Sequence, residues 1–554
     1  MKKICIFFLT LSIFLTHSFA SVGPKKMNKN SDWHDEIIYH VNQRSFFDSN
    51  GDRHGDLKGF VEKLGYLKEL GVTTILFTPL YESDFYHNYF AKDYEKIDPE
   101  FGTMEDYLDF IKAVHKNGLK FIMDMETQYA QNGNKWFDES FKNPGSPYSA
   151  FIHYSDSLNR YPDQFYIPSG SDLKEFRAWP DQKLYIVYLD LNNQKVKDWT
   201  KAFYMHWVDP NGDGKFDDGV DGFRIDHMMD NLDDRGIFTD MFVNFWNPVF
   251  KSCKAINPNL FVVGEQSNWA EYGEDMIRKS GIDASFGFPI QFAIAGTPDY
   301  FRGNSADSSL KNSLDAINIG KQVTETLKRI PKGKYYINFI ENHDTERFAT
   351  VVKNNKDKTR CAAVLNILLP GIPSIYYGQE LGVTGHIGNW GYDVNNIPVR
   401  EAFPWTPNPD DPGIAVFYKD SGPWWDQSYF KTGESSQLAL SVQQKAPTSL
   451  WNLYCKLIHY RRASEALSNG NFKLVQPVNP GILSFSRENS GEKVIVIMNL
   501  SENTTTAGLP SDKKPDFQEK TSIQGNSLVF QPYGFVVYKE LNILKLHQNF
   551  KRDE

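Results

Sequence analysis

The chain has 554 residues, a formal net charge of −9 and 40% hydrophobic content. That is enough apolar material for a large core, and it excludes a disordered chain. The acidic balance argues against nucleic acid as a partner, because such proteins usually present a basic face.

Met1-Lys2-Lys3 is a positive start, residues 4–14 are apolar, and Ser18-Phe19-Ala20 ends on a small residue. This is the layout of a secretory signal peptide over residues 1–20. It predicts cleavage after Ala20 and export to the periplasm or beyond. No other run reaches the roughly 18–20 apolar residues of a membrane span, so no transmembrane segment is expected. Loss of Cys5 leaves Cys253, Cys361 and Cys455, which cannot all pair and give no disulfide framework. Cys361 lies in an apolar run and reads as a buried small hydrophobe.

Short β-rich runs then recur at 37–41, 73–78, 120–125, 222–226, 260–265, 284–288, 336–341 and 374–377. Helical patterns lie between them. Leu57, Phe60, Val61, Leu64, Leu67 and Leu70 follow helical spacing up to a stop at Gly71. A second helix is predicted over 104–117, ending in Asn117-Gly118. Eight strands interleaved with helices predict an α/β fold, a (β/α)8 TIM barrel over 30–465. The third and fourth runs are too far apart for one helix. Residues 130–190, rich in Pro, Gly, Ser, Asp and aromatics, therefore read as an inserted subdomain after strand 3. Beyond a helix around 449–462, alternating β runs and turn signals such as Asn479-Pro480-Gly481 predict a C-terminal antiparallel β-sandwich domain over 466–541. Residues 542–554 read as a tail.

In a (β/α)8 barrel the reacting groups sit at the C-terminal ends of the strands. Here those ends carry Asp124, Asp226 and Glu265, with Asp344 just beyond the seventh. Arg224 stands two residues before Asp226, on the same strand face, where a guanidinium can hold a carboxylate ionised and oriented. His343 stands beside Asp344. Retaining glycoside hydrolysis needs a nucleophile and an acid/base about 5 Å apart, and adjacent strands can supply them. Singly, Arg224–Asp226 also reads as a structural ion pair, Glu265 as a helix cap and His343–Asp344 as a loop hydrogen bond. In order at successive strand ends, they point to a glycosidase.

Four stretches carry a specific resemblance: Gly222-Phe223-Arg224-Ile225-Asp226, Gly264-Glu265, Phe339-Ile340-Glu341-Asn342-His343-Asp344, and Gly371-Ile372-Pro373-Ser374-Ile375-Tyr376-Tyr377-Gly378-Gln379-Glu380. The chain resembles the α-amylase family, glycoside hydrolase family 13. The resemblance implies that Asp226 is the nucleophile, Glu265 the general acid/base, and Asp344 the residue gripping the sugar hydroxyls. It implies substrate-binding roles for Arg224, His343, Asp124, Tyr89, Tyr129 and Arg347. Tyr89 resembles a tyrosine that stacks on the reacting sugar, and Arg347 an arginine found in several oligosaccharide-acting members. The family's third-strand motif runs Asp, three variable residues, Asn, His. Here Gln128 and Tyr129 replace the last two. The usual Asn helps to bind a calcium between barrel and insertion, so that site is not carried over. Asp230 stands where amylases often have His, and His227 follows the nucleophile where small residues are usual.

Two acidic loops suit a metal. Asp48, Asn50, Asp52 and Asp56, with the His54 carbonyl, alternate around a tight turn in a pattern that suits structural Ca²⁺. Asp209, Asn211 and Asp213 open like an EF-hand loop, but Val220 stands at the twelfth place instead of Glu. No organic cofactor is expected. The expected function is an exported hydrolase of starch-type α-glucans or malto-oligosaccharides. A transglycosylase or isomerase of the same family and a non-catalytic glucan-binding protein are the alternatives. Linkage preference, endo or exo action and oligomeric state are left open.

Overall fold

The structure is a computed structural model, and it describes residues 32–296, 313–391, 393–475 and 479–541. The expected signal peptide and the 542–554 tail lie outside the described residues. Eight strands, β1 (Ile38–Val41), β2 (Thr74–Phe77), β3 (Lys120–Met125), β4 (Gly222–Met228), β5 (Phe261–Gln266), β6 (Ala284–Phe286), β7 (Tyr335–Asn338) and β8 (Ile372–Tyr376), form a closed barrel. All neighbours are parallel and follow chain order. β8 closes on β1 through Ile38 opposite Ser374. These are the eight predicted runs, with small differences at their ends.

Both faces of this sheet are covered. Ile38, Leu76, Ile122, Val263, Ile337 and Ile372 form an inner cluster. Their neighbours Tyr39, Ile75, Phe121, Val262 and Ile375 pack outward into the larger core. A strand buried on both sides must be apolar at consecutive positions, which is why the runs read as continuous.

The pattern over 57–70 resolves into two helices, α1 (Leu57–Glu62) and α2 (Leu64–Leu70). The break is at Lys63, whose ψ of 4° and bonds to the Phe60 and Val61 carbonyls tighten the turn. The apolar face still runs through, with Leu57, Phe60, Leu64, Leu67 and Leu70 buried. Gly71, at φ +98°, ends α2 in the left-handed region that glycine takes without a Cβ clash. The second predicted helix is α3 (Met104–Lys116), opened by a Thr103/Asp106 capping box.

Within the 130–190 region, Ile186–Tyr188 pairs antiparallel with Tyr129–Gln131. Phe176–Ala178 pairs with Gln182–Leu184. After the helix α4 (Leu450–Arg462) come β9 (Asn471–Val475), β10 (Ile482–Asn489), β11 (Glu492–Asn499), β12 (Thr505–Gly508), β13 (Phe517–Gln524) and β14 (Ser527–Leu541). They form one antiparallel sheet in the order β9-β10-β11-β14-β12, with β13 also on β14. The long β14 changes partner along its length, from β12 near Ser527 to β11 near Leu541. Leu483, Phe485, Val494 and Val496 join the main core, while Ile495, Ile497, Phe530 and Val536 enclose a small second one.

Cys253 and Cys361 are buried free thiols and Cys455 is half-buried. Among the described residues no helix is long and apolar enough to cross a membrane.

Candidate active site

The β3–β4 register sets Arg224 directly beside Asp124. Arg224 is buried, 1% exposed, and its guanidinium serves three acids. One terminal nitrogen lies 2.9 Å from Asp124 and 2.5 Å from Asp226 Oδ1, and the other 2.6 Å from Glu265 Oε2. Three carboxylates on three adjacent strands thus share one cation. Beyond Ile225 the pairing of β4 with β5 shifts register. His227 has φ +46° there, so the strand end is bent at the residue after Asp226.

Tyr89 comes from the loop after β2. Its hydroxyl donates to Asp124 Oδ2 at 2.7 Å and lies 2.7 Å from His343 Nε2. Its ring stacks on that imidazole at 5.4 Å between centroids. His343 Nε2 is also 2.8 Å from Asp344 Oδ2. The structure therefore brings together Asp124, Arg224, Asp226, Glu265, Tyr89, His343 and Asp344. The side chains of Asp226 and Asp344 retain 20% and 26% exposure, so they face the opening.

Burial pushes the Glu265 carboxyl well above the usual range, opposed by Arg224 and reinforced by Asp226, Asp344 and Asp124. Burial also lifts Asp124, to about 7, again against Arg224. Asp344 goes the other way. Burial raises it, but His343 and Arg400 outweigh burial and hold it below the carboxylate range. The site thus holds one acid ready to give a proton and another fixed as an anion.

Arg400 was not singled out from the sequence. Its guanidinium bonds Asp344 Oδ1 at 2.9 Å and the His343 carbonyl at 2.9 Å. His40 was also missed. It reaches His343 Nδ1 at 3.2 Å from β1. A histidine inside an otherwise apolar strand was a signal for it. Arg400 stands on a loop well beyond β8 and gave none.

Two expected substrate residues do not join the group. Arg347 is buried, bonded to Glu341 at 2.9 Å and the Tyr377 carbonyl at 2.8 Å, with Tyr376 beneath it at 4.0 Å. Its charge is satisfied by that carboxylate. Tyr129 is buried, and its hydroxyl donates to Asp233 at 2.7 Å. The neighbouring Gln128 amide reaches the His227 carbonyl at 3.2 Å.

In the first acidic loop, Asp48 accepts from the Asn50, Gly51 and Arg53 amides. Asn50 and Asp52 accept from Asp52 and His54. Asp56 ties back to Ser49 and caps α1. The donors are hard oxygens on a closed turn, which suits calcium chemistry. In the second loop Asp209 accepts from Gly212 and Gly214, Asn211 from Asp213, and Lys215 pairs with Asp213 at 3.1 Å. That lysine competes with any cation. Among the described residues no three His, Cys, Asp or Glu side chains converge as a metal cluster.

A cavity of about 820 Å³ opens at the ends of β4 and β5, lined by Met228, Asp230, Gln266, Asn268 and Tyr272 among others. A slightly larger groove of about 890 Å³ runs between the helix Ala316–Arg329 and β9. Neither is lined by Asp124, Arg224, Asp226, Glu265 or Asp344, so chemistry rather than cavity size locates the site.

The α-amylase catalytic domain model matches residues 40–470. Alpha-amylase 3 of Dictyoglomus thermophilum is 28% identical over 97% of this chain and 98% of its own. Trehalose synthase/amylase TreS of Mycolicibacterium smegmatis is 25% identical over 82% of this chain and 80% of its own. The solved structure of Eubacterium rectale Amy13B shares the fold, with a TM-score of 0.72 at 24% identity over 92% of this chain and 96% of that one. Barrel, acid cluster and family match agree: this chain belongs to the α-amylase family, glycoside hydrolase family 13, and is a glycoside hydrolase of that family.

Proposed function

We propose that this enzyme is an exported, retaining hydrolase of α-glucosidic bonds in starch-type glucans or malto-oligosaccharides. The observation that carries the reading is Arg224, which holds Asp226 and Glu265 on neighbouring nitrogens of one guanidinium. That arrangement suits the close pair of a retaining enzyme, about 5 Å, better than the wider gap that admits a water. In the first step an Asp226 oxygen bonds to the anomeric carbon. The bond to the leaving oxygen breaks, and that oxygen takes the Glu265 proton. In the second step Glu265, now a carboxylate, takes a proton from water as the water oxygen displaces Asp226. Asp344, fixed as an anion, holds sugar hydroxyls, and His343 and Arg400 brace it. Export rests on the signal-peptide pattern of residues 1–20, and the enzyme recovered from its host is expected to begin at Ser21.

A second reading, transfer to a sugar acceptor, is supported by the likeness to a protein named trehalose synthase/amylase. The test is a screen on starch, pullulan, cyclodextrin, isomaltose, sucrose and trehalose, with the first-formed anomer followed by NMR. Retained α-products from starch or maltodextrin are expected. Inverted products, or no cleavage of any α-glucoside, would sink the proposal. Transfer products outnumbering free sugar would favour the second reading.

Calcium in the first loop is part of the proposal. Asp48, Asn50, Asp52 and Asp56 would hold it, with the His54 carbonyl, in a structural role. Chelation is expected to lower the melting temperature of the parent and to release about one calcium per chain. Asp52→Ala should bind less and respond less. An equal response in both proteins rules this loop out.

A further inference from the structure

Asp233 has no role in the chemistry above, yet the local structure is arranged around it. Its side chain is 1% exposed and accepts from three donors. His227 Nε2 lies 2.6 Å from Oδ1. Tyr129 donates to Oδ2 at 2.7 Å, and Tyr188 donates to the same oxygen. The two tyrosines face each other on the paired strands Tyr129–Gln131 and Ile186–Tyr188, whereas His227 directly follows Asp226 on β4. The backbone is strained at both ends of the contact, with φ of +46° at His227 and +53° at Asp233. Non-glycine residues take this region rarely and at a cost, and such strain gathers where function holds it.

A buried carboxylate with three donors needs a counter-charge. His227, the titratable group in contact with it, supplies that charge when protonated. With Nε2 given to Asp233, the remaining ring nitrogen, Nδ1, has no partner among the described residues. The ring is 22% exposed, beside the nucleophile.

We propose that Asp233 is a positioning residue: it locks His227 beside Asp226, ties β4 to the inserted subdomain, and through His227 Nδ1 sets how tightly the departing sugar is held. The charged imidazole donates from Nδ1, and the neutral ring held at Nε2 can only accept there. Burial opposes the charge, but the hydrogen bond and the negative charge of Asp233, with Asp226 beyond, raise His227 above the usual histidine value. The charged and titratable groups around it are Arg224 and Asp226 on its own strand, Glu265 from β5, and Asp233 with Tyr129 and Tyr188. Arg235 lies over the Tyr188 ring at 5.2 Å, and Tyr166 senses both Asp233 and Asp226.

The inference rests on the glycosidase reading, and its test separates the two. KM for a malto-oligosaccharide is expected to rise with pH as His227 loses its proton, while kcat follows Glu265. In Asp233→Asn that rise should move down by about one pH unit, with KM at neutral pH about tenfold higher. Kinetics on an aryl α-glucoside, whose leaving group lacks sugar hydroxyls, should change less than about twofold. His227→Gln should show the same split between substrates, and it keeps the test open if Asp233→Asn does not fold. Histidine NMR reads the coupling without turnover: one imidazole titrating above the usual value in the parent should titrate lower in Asp233→Asn. An unmoved histidine, or KM changing equally on both substrates, overturns the inference. A parent without α-glucosidase activity of any kind overturns the reading on which it rests.

Discussion

Glu265→Gln is expected to cut turnover of malto-oligosaccharides by about 10²–10⁴-fold, the usual contribution of a positioned general acid. Burial keeps this carboxyl protonated well above the usual carboxylate range, with three neighbouring acids adding to the effect. An alkoxide is a poor leaving group, so the proton is essential for a sugar. A nitrophenolate leaves unaided. The first step on a nitrophenyl α-glucoside should therefore lose far less in the same variant, and single-turnover release of the phenol measures it. Asp226→Asn should lose both substrates equally, because no proton donor replaces a nucleophile. The fold should survive Glu265→Gln. Glu265 is held protonated, so Gln replaces one neutral hydrogen-bonding group with another and leaves the charge around Arg224 unchanged, and melting at neutral pH should match that of the parent. Near-parent turnover of oligosaccharide by Glu265→Gln would remove this residue from the acid role. So would an equal loss on both substrates.

The barrel was legible because both faces of its sheet are apolar, which makes each strand a compact run. The acids were legible because the barrel places reacting groups at strand ends, so Asp124, Asp226 and Glu265 could be read by position. The break at Lys63 was not legible, since the apolar face of α1 continues into α2. Nor were the contacts made at long range. His40 and His343 meet across 303 positions, and no local pattern encodes that. Tyr129 and Arg347 show the converse. The residue type is as read, but each is captured by a buried acid, Asp233 or Glu341, whose partner only the fold reveals. The acidic loops were visible as spacing, whereas the competition of Lys215 for Asp213 depends on how the second loop closes.

Replacing Arg224 with Met should cost both activity and stability, and the stability loss should depend on pH. Removing one partner from a buried ion pair typically costs about 3–5 kcal/mol, because the other charge is left uncompensated. Here three acids lose their cation at once. Asp124 makes the sign explicit. Burial raises it to about 7 even with Arg224 beside it. A carboxyl raised on folding takes up a proton, so its contribution is favourable at low pH and is lost as pH rises toward 7. Without the guanidinium, Asp124 and Glu265 shift further upward, and that loss deepens over the neutral range. At pH 5 the orphaned acids can fold protonated, as neutral hydrogen-bonding groups. At pH 8 they must either hold their protons against solvent or ionise in a buried site. The gap in melting temperature between parent and Arg224→Met is therefore expected to be wider at pH 8 than at pH 5. A gap that is the same at both would mean that the arginine acts by packing alone, and that the charge of the cluster is balanced by other groups.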